Sequence, residues 1–245
     1  MFTFWMLPYI GAVYSAPTID CSYKYLDICA NDLLLFRDIG GIVRAPVSIE
    51  ELRQQCESQA KSENCVRERS EQCTTGIVKG ISRLFLDTIR DEMESRCDFT
   101  SEEHQKYMEM APCLDSISGK IANCSIEFIK STDVSVGISS GLTLKQKIPH
   151  ACCNFGLYSD CMLGTTKESC GAEAEAFIKN MVDGASGDLI ETACSAYKVD
   201  SETCRENLKL TKQLEAEGKY NGLYKEIKTF MGAIAKLTDS LTSRN

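Results

Sequence analysis

Histidine is almost missing from this chain of 245 residues: only His104 and His150 occur. Close cysteine pairs are missing too. The nearest non-adjacent cysteines, Cys21/Cys29, Cys65/Cys73 and Cys153/Cys161, each have seven residues between them. A structural zinc site draws on C-x-x-C pairs or added histidines, so metal binding is not expected. Basic residues are outnumbered, 27 Lys and Arg against 35 Asp and Glu, for a net charge of −8. Nucleic-acid binding needs clustered cations on phosphate, and this balance speaks against it. No glycine loop of the phosphate-cradling type is present. Beyond the first 19 residues no apolar run approaches the ~18 needed to span a bilayer.

Those first 19 residues carry no charged side chain. Residues 1–15 read as a secretory signal peptide, with small Val13 and Ser15 at the −3 and −1 positions of a cleavage after Ser15. Pro8 and Pro17 interrupt the stretch and make it a poor membrane anchor. The expected location is secreted and extracellular, and the mature chain should be soluble. Cysteine is the abundant residue, at 14 copies. Behind a signal peptide such a count means disulfides.

The cysteines repeat. Cys29 is followed by Cys56, Cys65, Cys73 and Cys97 with 26, 8, 7 and 23 residues between. Cys124 is followed by Cys152, Cys161, Cys170 and Cys194 with 27, 8, 8 and 23 between. One more cysteine precedes each set, Cys21 and Cys113. Two six-cysteine modules result, about 21–97 and 113–194, with Cys153 and Cys204 left over. Adjacent cysteines seldom bond to each other because the small ring distorts the peptide between them. Cys153 is therefore expected to pair with Cys204, and the other twelve within their modules, in connectivities that six cysteines leave open. The chain divides into a signal peptide (1–15), a first module (16–111), a second module (112–205) and a C-terminal helical segment (206–245).

Apolar spacing predicts an all-α fold, two disulfide-stapled helical modules followed by an amphipathic helix. Helices are expected near 22–38, 49–61, 64–95, 101–110, 113–130, 146–163, 170–183, 188–197, 201–217 and 222–241. Ser48/Glu51, Thr100/Glu103 and Thr165/Glu168 fit capping boxes. Gly40, Gly41 and Pro46 should end the first helix, and Gly76 and Gly80 bend or break the third. Residues 131–145 read as a long loop, with a short strand possible where Val134, Val136 and Ile138 alternate. Pro112 should separate the modules. At the end of the chain Tyr220, Leu223, Ile227, Phe230, Ile234, Leu237 and Leu241 step by three and four. That stripe could pack on the modules, form a homodimer seam through 220–241, or contact a membrane surface. Membrane contact is disfavoured by Glu226, Asp239 and the acidic chain.

Catalytic patterns are incomplete. Gly137-Ile138-Ser139-Ser140-Gly141 matches the nucleophile elbow of hydrolases, but no acidic residue lies between Ser139 and His150, the only later histidine. The segment Cys152–Cys161 is similar to the paired-cysteine signature of secreted phospholipases, yet it holds no histidine to activate water. Asp183-Gly184-Ala185-Ser186-Gly187-Asp188 lacks the spaced oxygens of a calcium loop and reads as a turn. His104 stands in a polar helix start and reads as solvated. The acidic pairs Glu50/Glu51, Asp91/Glu92 and Glu102/Glu103 read as solvated helix faces. Asn123-Cys124-Ser125 is the one glycosylation sequon, with Asn123 as acceptor.

Asn64-Cys65-Val66-Arg67 with Cys73, Ala111-Pro112-Cys113-Leu114, and Cys152-Cys153…Tyr158…Cys161 followed by Cys170-Gly171 carry a family likeness. The chain resembles secreted, cysteine-rich helical proteins of invertebrates, distantly like the insect haemolymph glycoprotein group and related nematode secreted repeat proteins. The likeness covers roughly residues 21–204. It implies an extracellular, non-enzymatic protein without cofactor or catalytic residues. The expected function is binding, of an apolar small molecule or a protein partner. A membrane-active, venom-like factor using the terminal helix and an unrecognised secreted hydrolase are the alternatives.

Overall fold

The computed structural model describes residues 20–39, 42–138, 144–218, 227, 229 and 231–236. The segment 1–15, Ser139, and the stripe positions Tyr220, Leu223, Phe230, Leu237 and Leu241 lie outside them. The fold is all-α. Its elements are α1 (Tyr23–Cys29), a hairpin β1 (Arg37–Ile39) and β2 (Ile42–Arg44), α2 (Ile49–Cys73), α3 (Gly76–Cys97), α4 (Glu102–Ser116), α5 (Ser118–Ile138), α6 (Leu144–Cys170), α7 (Ala172–Cys194) and α8 (Glu202–Ala216). No helix among the described residues is long and apolar enough to cross a membrane.

All fourteen sulfurs are used in disulfides. In the first module Cys21 joins Cys73, Cys29 joins Cys65 and Cys56 joins Cys97. In the second Cys113 joins Cys170, Cys124 joins Cys161 and Cys152 joins Cys194. Both modules thus link their first cysteine to the fifth, second to fourth and third to sixth. The closed spans match as well: 52, 36 and 41 residues against 57, 37 and 42. The adjacent pair splits as expected, Cys153 going to Cys204. In each module one long helix carries three of the six cysteines and ends on one of them, α2 at Cys73 and α6 at Cys170. The helix that follows also ends on a cysteine, Cys97 or Cys194.

Local chemistry sets the boundaries. Ser48 accepts from the Glu51 N–H at 3.2 Å, and the Glu51 carboxylate reaches back to the Val47 N–H at 2.8 Å, opening α2. That helix does not stop at residue 61. It runs to Thr74, whose hydroxyl donates to the Ser70 carbonyl at 2.6 Å. The break falls at Gly76, with φ +58°, a conformation suited to glycine. Gly171, at φ +87°, plays the same part between α6 and α7. Ser101, not Thr100, caps α4, accepting from the His104 N–H at 2.9 Å. Thr165 caps nothing, since it lies inside α6.

Four expectations need correction. The first helix ends at Cys29 rather than residue 38, because residues 30–32 turn and Leu33–Phe36 bend as a non-helical strap against α2. The carbonyls freed in that strap are taken by two buried amides: Gln59 Nε2 donates to Leu33 O at 3.0 Å, and Gln55 Nε2 to Leu34 O at 3.1 Å. Leu33 and Leu35 are buried to 0% and 2% exposure, worth about 2 kcal/mol each. Residues 131–138 continue α5 in place of the loop and strand. Ser131 and Ser135 turn their hydroxyls back onto the carbonyls of Phe128 and Ser131, and Asn154 Nδ2 from α6 donates to Ser135 Oγ at 2.8 Å. Pro112 lies inside α4, which runs through the expected module corner. Residues 183–188, read as a turn, belong to α7.

The modules share one core. Leu35, Leu52 and Ala45 join Tyr107, Leu114, Phe128, Met162 and Ile178 in a single cluster. Helix α3 packs on α7, and α4 touches both hairpins of helices. Asp115 fastens the β-hairpin to α4, accepting from Arg44 Nε at 2.7 Å and the Ala45 N–H at 3.1 Å. Ile227 of the terminal stripe and the neighbouring Ala233 are buried in the same cluster, with Ile234 of the stripe packed against it. Buried Asp27 receives the Thr229 N–H at 2.8 Å and hydroxyl at 2.6 Å, and a side chain at Gly232 would overlap its carboxylate.

Candidate functional site

The seam between the modules holds a partly enclosed cavity of about 90 Å³. The first module supplies the Leu33–Phe36 strap, Gln59 of α2, and Phe85, Thr88, Ile89 and Glu92 of α3. The second supplies Ile121 and Ser125 of α5, Phe155, Tyr158 and Met162 of α6, and Met181 and Val182 of α7. The lining is mostly hydrocarbon and aromatic. At this volume it is smaller than the ~150 Å³ apolar cavity known to take benzene, and smaller than the ~300 Å³ at which ordinary ligand pockets begin. It would hold the end of a chain. Met162 and Met181 are unbranched and can repack to admit more.

The polar end of the cavity is organised by Arg96, which is 1% exposed and does not line it. Its Nε donates to Glu92 Oε1 at 2.7 Å and its Nη2 to Gln59 Oε1 at 2.7 Å. The Tyr107 ring lies 5.5 Å from the guanidinium. Glu92 lines the cavity, and the cation that pairs with it does not. Tyr158, bonded to Ser125, has its phenol pushed up to about 12 by burial and stays protonated at neutral pH.

A second, more open pocket of about 480 Å³ lies outside, between α6 and the turn before α8. Asp160, Lys198 and Asp200 are its charged lining residues. Phe155 lines both spaces, so this ring forms part of the wall between them.

Of the residues singled out in the sequence, Tyr158 and Glu92 line this site and the others do not form it. His104 is buried, not solvated: its Nδ1 lies 3.2 Å from the Arg96 carbonyl and its ring meets Phe99 edge-on. His150 sits in α6, with its pKa lowered by burial. Its proposed partner Ser139 is outside the described residues. Glu92, read as a solvated face, is 24% exposed and pairs with Arg96. Glu63, 1% exposed, is a buried carboxylate held by Arg67 at 2.6 Å and Arg90 at 2.5 Å across α2 and α3. Asn123 is exposed on α5. Among the described residues no group of three or more His, Cys, Asp or Glu side chains could hold a metal ion.

No family model, curated protein or solved structure matches the chain. The seven disulfides are those of a protein from an oxidising, extracellular setting.

Proposed function

We propose that this is a secreted, non-enzymatic binding protein whose ligand inserts an apolar end into the seam cavity. The observation that carries this reading is the lining: an apolar pocket drawn from both modules, closed by a few convergent polar groups, is the usual form of a small-molecule site. The apolar N-terminal segment with its small residues at 13 and 15 supports export. The likeness to secreted helical proteins of invertebrates supports the same setting. A membrane-inserting role for the C-terminal stripe has less support, because Ile227 is buried in the core and Ile234 packs against it.

The test is titration of the purified, oxidised protein with a polarity-sensitive apolar fluorophore. A saturable blue shift is expected, together with its loss in Val182→Phe, which puts a larger side chain into the cavity. A fluorophore that binds both proteins equally, or neither, would reject the site. Mass spectrometry of a solvent extract of the protein taken from its native source would then identify the natural occupant.

A further inference from the structure

The charge around the cavity selects among apolar ligands. Glu92 is the one carboxylate among the described lining residues, and its ion-pair partner Arg96 does not itself line the cavity. Arg96 uses only part of it. The Nε bond to Oε1 at 2.7 Å and the Nη2 contact to Oε2 at 3.3 Å leave two of its roughly four lone-pair positions open. Gln59 commits one of its two amide hydrogens to Leu33 O at 3.0 Å. Thr88 donates its hydroxyl proton to Leu84 O at 3.0 Å. In the outer pocket Asp160 and Asp200 outnumber Lys198. An incoming ligand thus meets an excess of negative charge outside and an acceptor inside.

We propose that the natural ligand is a small hydrophobic amine, its apolar end among Ile89, Phe85, Met162 and Met181 and its ammonium on the Glu92 carboxylate. This rests on the reading of the seam cavity as a ligand site. A carboxylate-headed chain of the same length would bring an anion against Glu92, where like charges repel. An alcohol can donate one hydrogen bond to Glu92 without the charge attraction, and it ranks between the two.

The experiment uses hexylamine, hexan-1-ol and hexanoate, which share a tail and differ in the head. Each is titrated at pH 7 into the oxidised full chain carrying ¹³C-methyl methionine, with Met162 and Met181 assigned through their Leu variants. Hexylamine should shift both methyl signals with a dissociation constant at least tenfold below that of hexanoate. Three ligands of equal affinity would overturn the amine assignment and leave the cavity standing as an apolar site. Hexanoate binding best would overturn it as well, by showing that Arg96 reaches the ligand. If none of the three moves either methyl group, the cavity reading falls, and the amine with it. Glu92→Gln should bring the three constants within about threefold of one another. Because that substitution also weakens the hold on Arg96, the series on the unaltered protein decides the question alone.

Discussion

Cys153 and Cys204 enclose 51 residues, yet their removal should cost less than that span implies. Cys152 is next in sequence and is bonded to Cys194, only ten residues before Cys204. With that bridge intact, the loop that Cys153–Cys204 closes in the unfolded chain is about 12 residues, worth roughly 3 kcal/mol rather than the roughly 4 kcal/mol of the full span. The relation is mutual: removing Cys152–Cys194 alone also opens a loop of about 12 residues. Once one bridge is gone, the survivor closes its own full span. Loss of both should therefore total about 7 kcal/mol, about 1 kcal/mol beyond the two single losses. The variants are Cys153→Ala with Cys204→Ala, Cys152→Ala with Cys194→Ala, and all four together. Guanidinium unfolding followed by helical circular dichroism measures them, in a fixed concentration of stabilising osmolyte so that the quadruple variant remains folded. Truncating the buried half-cystines cancels in the cycle, which leaves the loop term. Strict additivity, or a single loss near 4 kcal/mol, would refute the nested-loop argument.

Arg96→Met should destabilise by about 3 kcal/mol in the same assay, since the buried Gln59 Oε1 and the Glu92 carboxylate lose their common donor. Gly164→Ala, in α6 with nothing near its added methyl, should stabilise by up to about 1 kcal/mol, whereas Gly156→Ala, whose Cβ would lie 2.6 Å from Val199 Cγ2, should lose that gain. Tyr158 gives a pH dependence. Its pKa is raised from 10.0 to about 12 in the fold, so between those values the unfolded chain binds fewer protons and stability falls as pH rises; below about 10 the contribution is fully present. Ultraviolet titration of phenolate should show one group fewer ionising late in Tyr158→Phe, and an unchanged curve would contradict its burial.

Short-range signals were legible where one residue type has one use. Cysteine spacing exposed the duplication because a bridge fixes which sequence positions meet. Ser48 with Glu51 marked a true helix start because both partners are local. The run Leu33-Leu34-Leu35-Phe36 misled, since four consecutive apolar residues fit a buried strap as well as a helix, and the deciding amides of Gln55 and Gln59 lie more than twenty residues away. Val134 and Val136 alternate like a strand but follow Ser131 and share a helix with Ser135, whose hydroxyls bond within α5. His104 looked solvated because its neighbours in sequence are polar, and nothing local announces that Glu92 pairs with the buried Arg96 one turn on. The cavity had no local signature at all. It exists because residues 33–36 and 181–182, far apart in the chain, face each other across the seam.

The placing of the bridges explains why a site should form there. Three disulfides lie within residues 21–97 and four within 113–204, and none joins the two sets. Each module is stiffened internally, because its long helix is tied at three points in α2 and at four in α6. Across the seam the hold comes from side-chain packing and hydrogen bonds, such as those of Arg44 and Ala45 with Asp115. Non-covalent contacts open locally at far lower cost than a cross-linked helix pair unfolds. Compliance is thus concentrated at the surface that encloses the cavity, and the walls on either side stay rigid. A ligand can enter by a small separation of two preformed faces, with Met162 and Met181 taking up the misfit, and no helix has to melt. A single module would present only half of the lining, and duplication supplies the other half.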